Sequence, residues 1–529
     1  MLKMKNLLKG TILSGIVAFT FTACTDLEVD EQDSFVVEDE SGEFTGVEAG
    51  NALTTSYGDL RGFGDQANLY ALLEVSADQY LIPTRGTDWG DNGIWRTLHQ
   101  HTWDASHQWV LNTWNNLNAN VFRLNQLLDS RSGATTMQTA EGRFLRAYNM
   151  YLLLDLWGKA PFREVDEGVD VDPRVLEDAE LWDFIMADLQ AALADLPDLG
   201  PADDNIAASK AAANFLIAKM ELNKEAFTGS AGDMNAVVTA VDDIIAAGYS
   251  LDPDRGYFEI FENTDDLETI FYTDAGVGNR MWNGLHYFQT TPDQGGGGWN
   301  GFSTTAETFA LFEGPSDTNA PDSGQEERRG FVPSTGDRPM DSDLEGDRDA
   351  DEDGDADGTY LGYGFLFGQQ YDADGNPLND RVGNPLIFTA DFPGLAGNGE
   401  FEGIRILKYH PSRGAFTNHY ILFRYADAHL MKAEAILRGA SGGDATAMVN
   451  ELREARGASA ASSVDLAYLL DERGRELYTE GWRRNDQIRF GTFANTWSLK
   501  DVTETFRVRF PIPAQAIASN PNLIQNDGY

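Results

Sequence analysis

Phe423-Arg424-Tyr425-Ala426-Asp427-Ala428-His429-Leu430-Met431-Lys432-Ala433-Glu434-Ala435 sets charged side chains among apolar ones at helical spacing. Arg424, Asp427 and Glu434 share a predicted helix with Leu430, Met431 and Ile436, so its charges run toward an apolar interior. An ionised group leaves water only with a partner, and an arginine–carboxylate fork supplies both charge and direction. The stretch therefore reads as a helix whose register is fixed by buried ion pairs, with no ligand needed. Trp482 with Arg483, Arg484 and Asp486 reads the same way, as a structural clasp.

Helical periodicity extends outward on both sides. Trp109–Leu128 repeats apolar residues every three or four positions, and a second amphipathic stretch runs from about Ala140 to Trp157, closed by Gly158 and Pro161. Further helices are predicted over Leu181–Leu196, Ser209–Ala226, Ala236–Ala247, Tyr420–Arg438, Ala445–Arg456 and Leu466–Arg483. From Tyr257 to about Phe416, Gly, Asn, Asp, Trp and short β-like runs replace them. The expected fold is mainly α, with a helical scaffold over about 46–256 and 417–529 carrying a long, loop-rich, partly β insertion over about 257–416. The helices come in pairs, without a strict 34-residue consensus.

The chain has 529 residues, with 39 Lys or Arg against 85 Asp or Glu and a net charge of −46. Such a field repels phosphates, which argues against nucleic acid as a partner. Hydrophobic residues at 42%, including 11 Trp, suffice for a large core. The single cysteine, Cys24, excludes a disulfide framework, a Cys-ligated zinc site and a dithiol centre. Lys3, Lys5 and Lys9 precede the short, mostly apolar Thr11–Phe21 segment, so 1–23 reads as a signal peptide. The small residues before Cys24 resemble a lipobox, in which the thiol is acylated. Residues 24–45 read as an acidic flexible tether ahead of a single body over 46–529. No later segment approaches 18 consecutive apolar residues, so the expectation is a membrane anchor rather than a span.

Three segments carry a family resemblance. They are Ala140-Glu141-Gly142-Arg143-Phe144-Leu145-Arg146-Ala147 through Trp157-Gly158-Lys159-Ala160-Pro161, the Phe423–Ala435 stretch, and Arg473–Leu477 with Glu480–Gly491 and the tail Ile512-Pro513-Ala514 and Asn520–Asn526. In that order behind a lipobox, they resemble the SusD/RagB family of outer-membrane nutrient-binding lipoproteins. The resemblance implies a tetratricopeptide-like helix-pair scaffold whose loop-rich insertion carries the ligand face. It also implies an outer-membrane location facing the exterior, and capture of oligo- or polysaccharide for a SusC-type TonB-dependent transporter.

Tryptophan in glycine-rich loops has no local core to enter. Two such loops stand out, Pro83–Trp95 and Asn279–Tyr287, the latter followed by Gly295–Phe302. A pyranose has an apolar C–H face and a hydroxyl rim, which match aromatic plates and polar neighbours. Trp89, Trp95, Trp282, Tyr287 and Trp299 are the predicted plates, with Asp88, Arg280 and Asn283 as rim partners. His99, His101 and His107 lack zinc-motif spacing and read as polar loop residues. Ten of the seventeen residues over 341–357 are acidic, and Asp349, Asp351 and Asp353 open an EF-hand-like frame overlapped by Asp355 and Asp357. Position 12 of that frame is Tyr360 rather than Glu, leaving structural Ca²⁺ and a solvated acidic insertion as the two readings. No nucleophile elbow, P-loop or dinucleotide fingerprint is present. The expectation is a glycan binder without catalysis and without an organic cofactor, preferring neutral ligands. Peptide or amino-sugar binding in the same role, and a surface glycoside hydrolase, are the alternatives.

Overall fold

The amphipathic periods become helices that pack on one another in succession. The computed structural model describes residues 44–168, 170–262, 266–274, 283–289, 298–333, 361–372, 375–410 and 419–529. Its first helices are α1 Ala49–Asp59, α2 Asn68–Glu74, α3 Ile94–His99, α4 Gln108–Leu128, α5 Thr136–Trp157, α6 Asp178–Leu193, α7 Lys210–Thr228 and α8 Met234–Ala246. From α4 to α8 each helix packs on the next, burying one apolar stripe after another. At Gly142 a Cβ would fall 2.6 Å from a Leu127 methyl, so only glycine lets α5 approach α4 this closely. Thr135 and Gln138 start α5 with a reciprocal capping box.

The second group comprises α9 Ala306–Phe309, α10 Tyr425–Leu437, α11 Ala445–Ala455, α12 Leu466–Glu476, α13 Arg483–Arg489 and α14 Ala514–Ser519. Helix α10 packs against α7, α8, α11 and α12, joining the two ends of the scaffold. Two predicted helices are corrected. Tyr420–Arg424 is a strand, wholly buried and paired antiparallel with Thr269–Thr273, and the helix begins only at Tyr425. A short aromatic and branched run buried on both faces suits a buried strand, here paired with Thr269–Thr273 alone, better than a helix. The predicted Leu466–Arg483 helix breaks after Glu476, because Thr479 (φ +65°) and Gly481 (φ +84°) turn the chain before α13.

In chain order the short strands are β1 Thr84–Arg85, β2 Lys159–Phe162, β3 Arg174–Glu177, β4 Thr269–Thr273, β5 Gly330–Phe331, β6 Tyr363–Leu366, β7 Gly368–Gln369, β8 Ile387–Phe388, β9 Ala396–Asn398, β10 Arg405–Leu407 and β11 Tyr420–Arg424. Strands β4–β10 lie in the partly β insertion, and the others connect helices of the scaffold. The strands form a three-stranded sheet β10-β6-β5 and the pairs β7-β8, β2-β3, β11-β4 and β1-β9, the last parallel.

The charges of the quoted stretch are paired inside the core. Arg424 donates to Glu480 (2.7 Å) and Glu476 (2.7 Å), and Glu476 also accepts from Arg456 and Arg328 at 3.0 Å each. Asp427 lies 2.7 Å from Lys219 and 2.8 Å from Arg473, which reaches Asp486 at 2.8 Å. Arg489 then links Asp486 (2.7 Å) to Glu434 (2.8 Å). Every residue in these chains is buried except Arg489, which is partly buried with its side chain only 3% exposed. Trp482 joins the clasp as a ring beneath Lys219 Nζ, 4.0 Å from its centroid.

Candidate functional site

The parallel pairing of Thr84 with Ala396 and Arg85 with Asn398 sets the loop after β1 beside the loop after β9. Bridges Leu81–Ser303 and Thr304–Ile404 add the 298–304 loop to the same corner. Two buried arginines stitch these loops from below. Arg85 donates to Gly399 O (2.8 Å), Ser303 Oγ (2.8 Å) and Glu402 O (2.7 Å), while Arg405 donates to Asn300 Oδ1 (2.7 Å) and Glu400 O (2.9 Å). Loop backbone without sheet partners is thereby held by side chains.

On this base stands a nest of aromatic rings. Trp95 is its floor, 3% exposed, with centroids 4.3 Å from Trp109, 5.3 Å from Phe302 and 5.5 Å from Trp89. Trp89 is half-buried and donates from Nε1 to Trp299 O at 2.7 Å. Its backbone sits at φ +60°, rare for a bulky residue, and the ring passes so close to Gly301 that a Cβ there would lie 2.2 Å from it. Trp299 is the outermost ring, 52% exposed and 6.4 Å from Trp89. Phe288, on the neighbouring loop, is 48% exposed.

Beside the rings runs a polar chain. The Tyr287 hydroxyl donates to Asp88 Oδ2 at 2.6 Å, and Arg381 Nη2 donates to the same oxygen at 3.1 Å. Arg381 also donates from Nε to Glu400 Oε1 and from its backbone N–H to Glu400 Oε2 at 3.0 Å. His286 Nε2 lies 2.8 Å from Glu400 Oε2. The Tyr287 hydroxyl and the Arg381 guanidinium hold the Asp88 carboxyl below its ordinary range. Burial opposes ionisation of Glu400, yet the Arg381 N–H, His286 and the guanidinium together keep it low as well. Burial pushes the His286 imidazole down, toward its neutral form. The chain is thus two carboxylates bridged by one cation, set against exposed apolar rings.

The predicted site divides accordingly. Trp299, Trp89, Tyr287 and Asp88 come together at one corner of the insertion. Trp95 and Asn283 do not face outward: the first packs between Trp109 and Phe302, and the second is 1% exposed with its backbone oxygen accepting from Phe302 N at 2.8 Å. Tyr287 is half-buried, and the Arg381 guanidinium stacks 4.1 Å over its ring, covering one face. Trp282, Arg280, Cys24 and the aspartates Asp349, Asp351, Asp353, Asp355 and Asp357 lie outside the described residues. Among the described residues no group of three or more His, Cys, Asp or Glu is placed to hold a metal. His99, His101 and His107 are buried rather than loop-exposed. Their rings face backbone carbonyls, with His99 Nε2 2.8 Å from Ser498 O, His101 Nε2 2.8 Å from Ser76 O and His107 Nε2 3.3 Å from Ile94 O. Arg381 and Glu400 were not legible as site residues, because neither lies in the tryptophan-bearing loops. A recess of about 440 Å³ lies elsewhere, lined by residues of α6–α8 and their loops such as Leu193, Asp198, Lys210 and Asp243; no aromatic ring lines it, and Lys210 is paired to Asp198 at 2.8 Å.

This mostly helical scaffold with a partly β insertion is a SusD-like fold. A crystallised SusD-like protein from Bacteroides fragilis superimposes with a TM-score of 0.67 at 19% identity, covering 94% of this chain and 98% of that one. The surface glycan-binding protein A from Bacteroides thetaiotaomicron, solved in complex with laminarihexaose, gives 0.58 at 17% identity, covering 90% and 98%. In sequence the chain is 28% identical over 485 residues to the starch-binding protein SusD of Bacteroides thetaiotaomicron, covering 83% of this chain and 82% of that protein. Residues 267–506 match the model of the SusD family. No described helix is long and apolar enough to cross a membrane.

Proposed function

We propose that this protein is a non-catalytic glycan-binding protein of the cell surface, holding oligo- or polysaccharide against the ring nest around Trp299. The observation that carries this reading is an indole 52% exposed, braced from behind by Trp89 and flanked by ionised hydrogen-bonding groups. An exposed ring costs solvation unless something covers it, and the C–H face of a pyranose is a flat apolar cover with a polar edge. The relatives named for starch and for a laminarin hexasaccharide support the same ligand class. Covering ~60 Å² of ring at about 25 cal/mol per Å² gives ~1.5 kcal/mol, roughly tenfold in affinity. In affinity gels containing soluble starch or laminarin the protein is expected to be retarded by one of them. Trp299→Ala should lose most of that retardation; equal mobility of the two proteins in both gels overturns the reading.

Acylation at Cys24 would hold the body at the outer membrane, facing the exterior, and the acidic tether would let it reach a SusC-type TonB-dependent transporter. Weak single contacts then suffice, because a polymer engages many anchored copies at once. Purification of the full chain from its native membrane is expected to bring a large β-barrel with it, and Cys24→Ala to move the protein into the medium. Recovery of the wild-type chain free of any barrel counts against the transporter role.

A further inference from the structure

Asp372-Ala373-Asp374-Gly375-Asn376-Pro377-Leu378 is followed immediately by a second copy, Asp380-Arg381-Val382-Gly383-Asn384-Pro385-Leu386, one residue intervening. Both copies fold back on themselves by the same bonds. Asp372 N donates to Asn376 O (3.0 Å) and Asp380 N to Asn384 O (2.7 Å), with bridges Tyr371–Pro377 and Asn379–Pro385 closing the two stems. Within each turn the aspartate accepts from the asparagine backbone, Asn376 N to Asp372 Oδ1 and Asn384 N to Asp380 Oδ1, both at 2.8 Å. The stems meet in a closed ring of backbone bonds, Gln370 N to Leu386 O, Leu386 N to Leu378 O and Leu378 N to Gln370 O, each 2.9 Å. The two units differ in sequence at their second position, Ala373 in the first and Arg381 in the second, and Arg381 stands at the tip of its turn.

That tip reaches the ring nest. The Arg381 side chain is 47% exposed, braced by Glu400 and by Asp88, and lies over Tyr287. Its Nε and Nη2 are engaged, whereas Nη1 makes no hydrogen bond among the described residues. Asp88 Oδ2 is doubly engaged, while Oδ1 keeps only a 3.5 Å approach from Thr87 Oγ1. The pair therefore retains one charged donor and one charged acceptor on a half-exposed edge, the complement of two neighbouring hydroxyls.

Resting on the glycan-binding reading above, we propose that Arg381, delivered by the second of the duplicated turns, is the specificity-determining contact of this site. With Asp88 it reads a vicinal diol of an uncharged pyranose whose ring is seated on Trp299. Uncharged sugar is favoured because Arg381 already faces two carboxylates, so the trio is net negative and a uronate would add a third anion.

The test uses the full chain, with maltoheptaose, laminarihexaose and oligogalacturonate as probes in titration calorimetry. Arg381→Ala is expected to weaken binding of the preferred neutral oligosaccharide by about 10- to 100-fold, the usual range for a lost bond to a charged group. Its melting temperature should stay close to the wild-type value, since the Arg381 side chain is half-exposed and surface ion pairs contribute little to stability. Arg381→Lys should recover only part of the affinity, lacking the planar fork that serves Glu400 and Asp88 together. Wild-type affinity in Arg381→Ala, with Trp299→Ala defective, overturns this assignment and leaves the ring site standing. Wild-type affinity in both variants overturns the ring site itself, and this assignment with it. Oligogalacturonate binding as tightly as the neutral probes also overturns it.

Discussion

Glu476→Gln is expected to cost about 3–5 kcal/mol of stability, read as a lower urea midpoint at unchanged slope. Glutamine keeps the shape, so no cavity enters the comparison; what is lost is the charge. Glu476 is fully buried between Arg424 (2.7 Å), Arg456 (3.0 Å) and Arg328 (3.0 Å). Burial alone would raise its pKa, and Arg456, Arg424 and Arg328 more than reverse this, holding it well below the ordinary range. Removing the anion leaves three buried guanidinium groups sharing the remaining carboxylates of Glu268, Glu480, Glu472 and Glu326. Whole-domain stabilities are about 5–15 kcal/mol, so a loss of this size is a large fraction of the total. Arg61→Ala is the contrast: its pair with Asp274 is 59% and 51% exposed and should contribute at most about 1 kcal/mol. Equal, small effects of the two substitutions would show that the interior ion network does not hold the scaffold.

Mild acid should have the second large effect. Burial pushes His101 down to about 2 and His419 down to about 4, and it lowers His99, His107, His286 and His429 as well. These imidazoles stay neutral in the folded chain but titrate near 6.5 when unfolded. Below about pH 6.5 the unfolded chain therefore binds protons that the native chain refuses, and stability falls as pH falls toward the folded pKa values. Each imidazole that is charged in the unfolded chain and still neutral in the folded one adds about 1.4 kcal/mol per pH unit, so His101 and His419 together approach ~3 kcal/mol per unit and the other four add in the same sense. Asp266 and Glu141, raised by burial, titrate in the opposite sense and offset part of this. Lower still, Glu472, held at about 2 against burial by Arg328, Arg475 and Arg453, loses its contribution as it is protonated. The melting temperature is expected to be level from pH 8 to 7 and to drop steeply between pH 6 and 5. A flat profile down to pH 5 contradicts this.

Much of the scaffold was legible because helices announce themselves locally. The Trp109–Leu128 and Ala140–Trp157 periods each landed within a few residues of α4 and α5. The charges Arg424, Asp427 and Glu434 were legible for a different reason, since an ion amid apolar neighbours has few solutions. Tyr420–Arg424 was not, because Tyr-Ile-Leu-Phe suits a buried helix or a buried strand, and its partner Thr269–Thr273 lies about 150 residues upstream. The same limit applied within the site. Trp95 and Trp299 both follow glycine-rich stretches, but Trp95 falls on α3, where the distant Trp109 and Phe302 decide that it goes inward. Arg381 carried a local signal after all, in the doubled Asp-x-x-Gly-Asn-Pro-Leu unit, although the sequence alone did not say which copy would reach the rings.

The ion-paired interior has one more consequence, outside the core. Among the described residues, fifteen Lys and Arg and sixteen Asp and Glu are buried, a nearly even exchange. In a chain with 39 cations and 85 acids, an even exchange takes a far larger share of the basic groups than of the acidic ones. Folding thus withdraws basic groups from the exterior and leaves an anionic skin wrapped in a cloud of mobile counterions about 8–10 Å deep. Copies crowded on a membrane would keep their distance through the osmotic pressure of these overlapping clouds. A neutral polymer threads between them displacing only water, whereas a polyanion would have to compete with each molecule's own charge before touching a single ring.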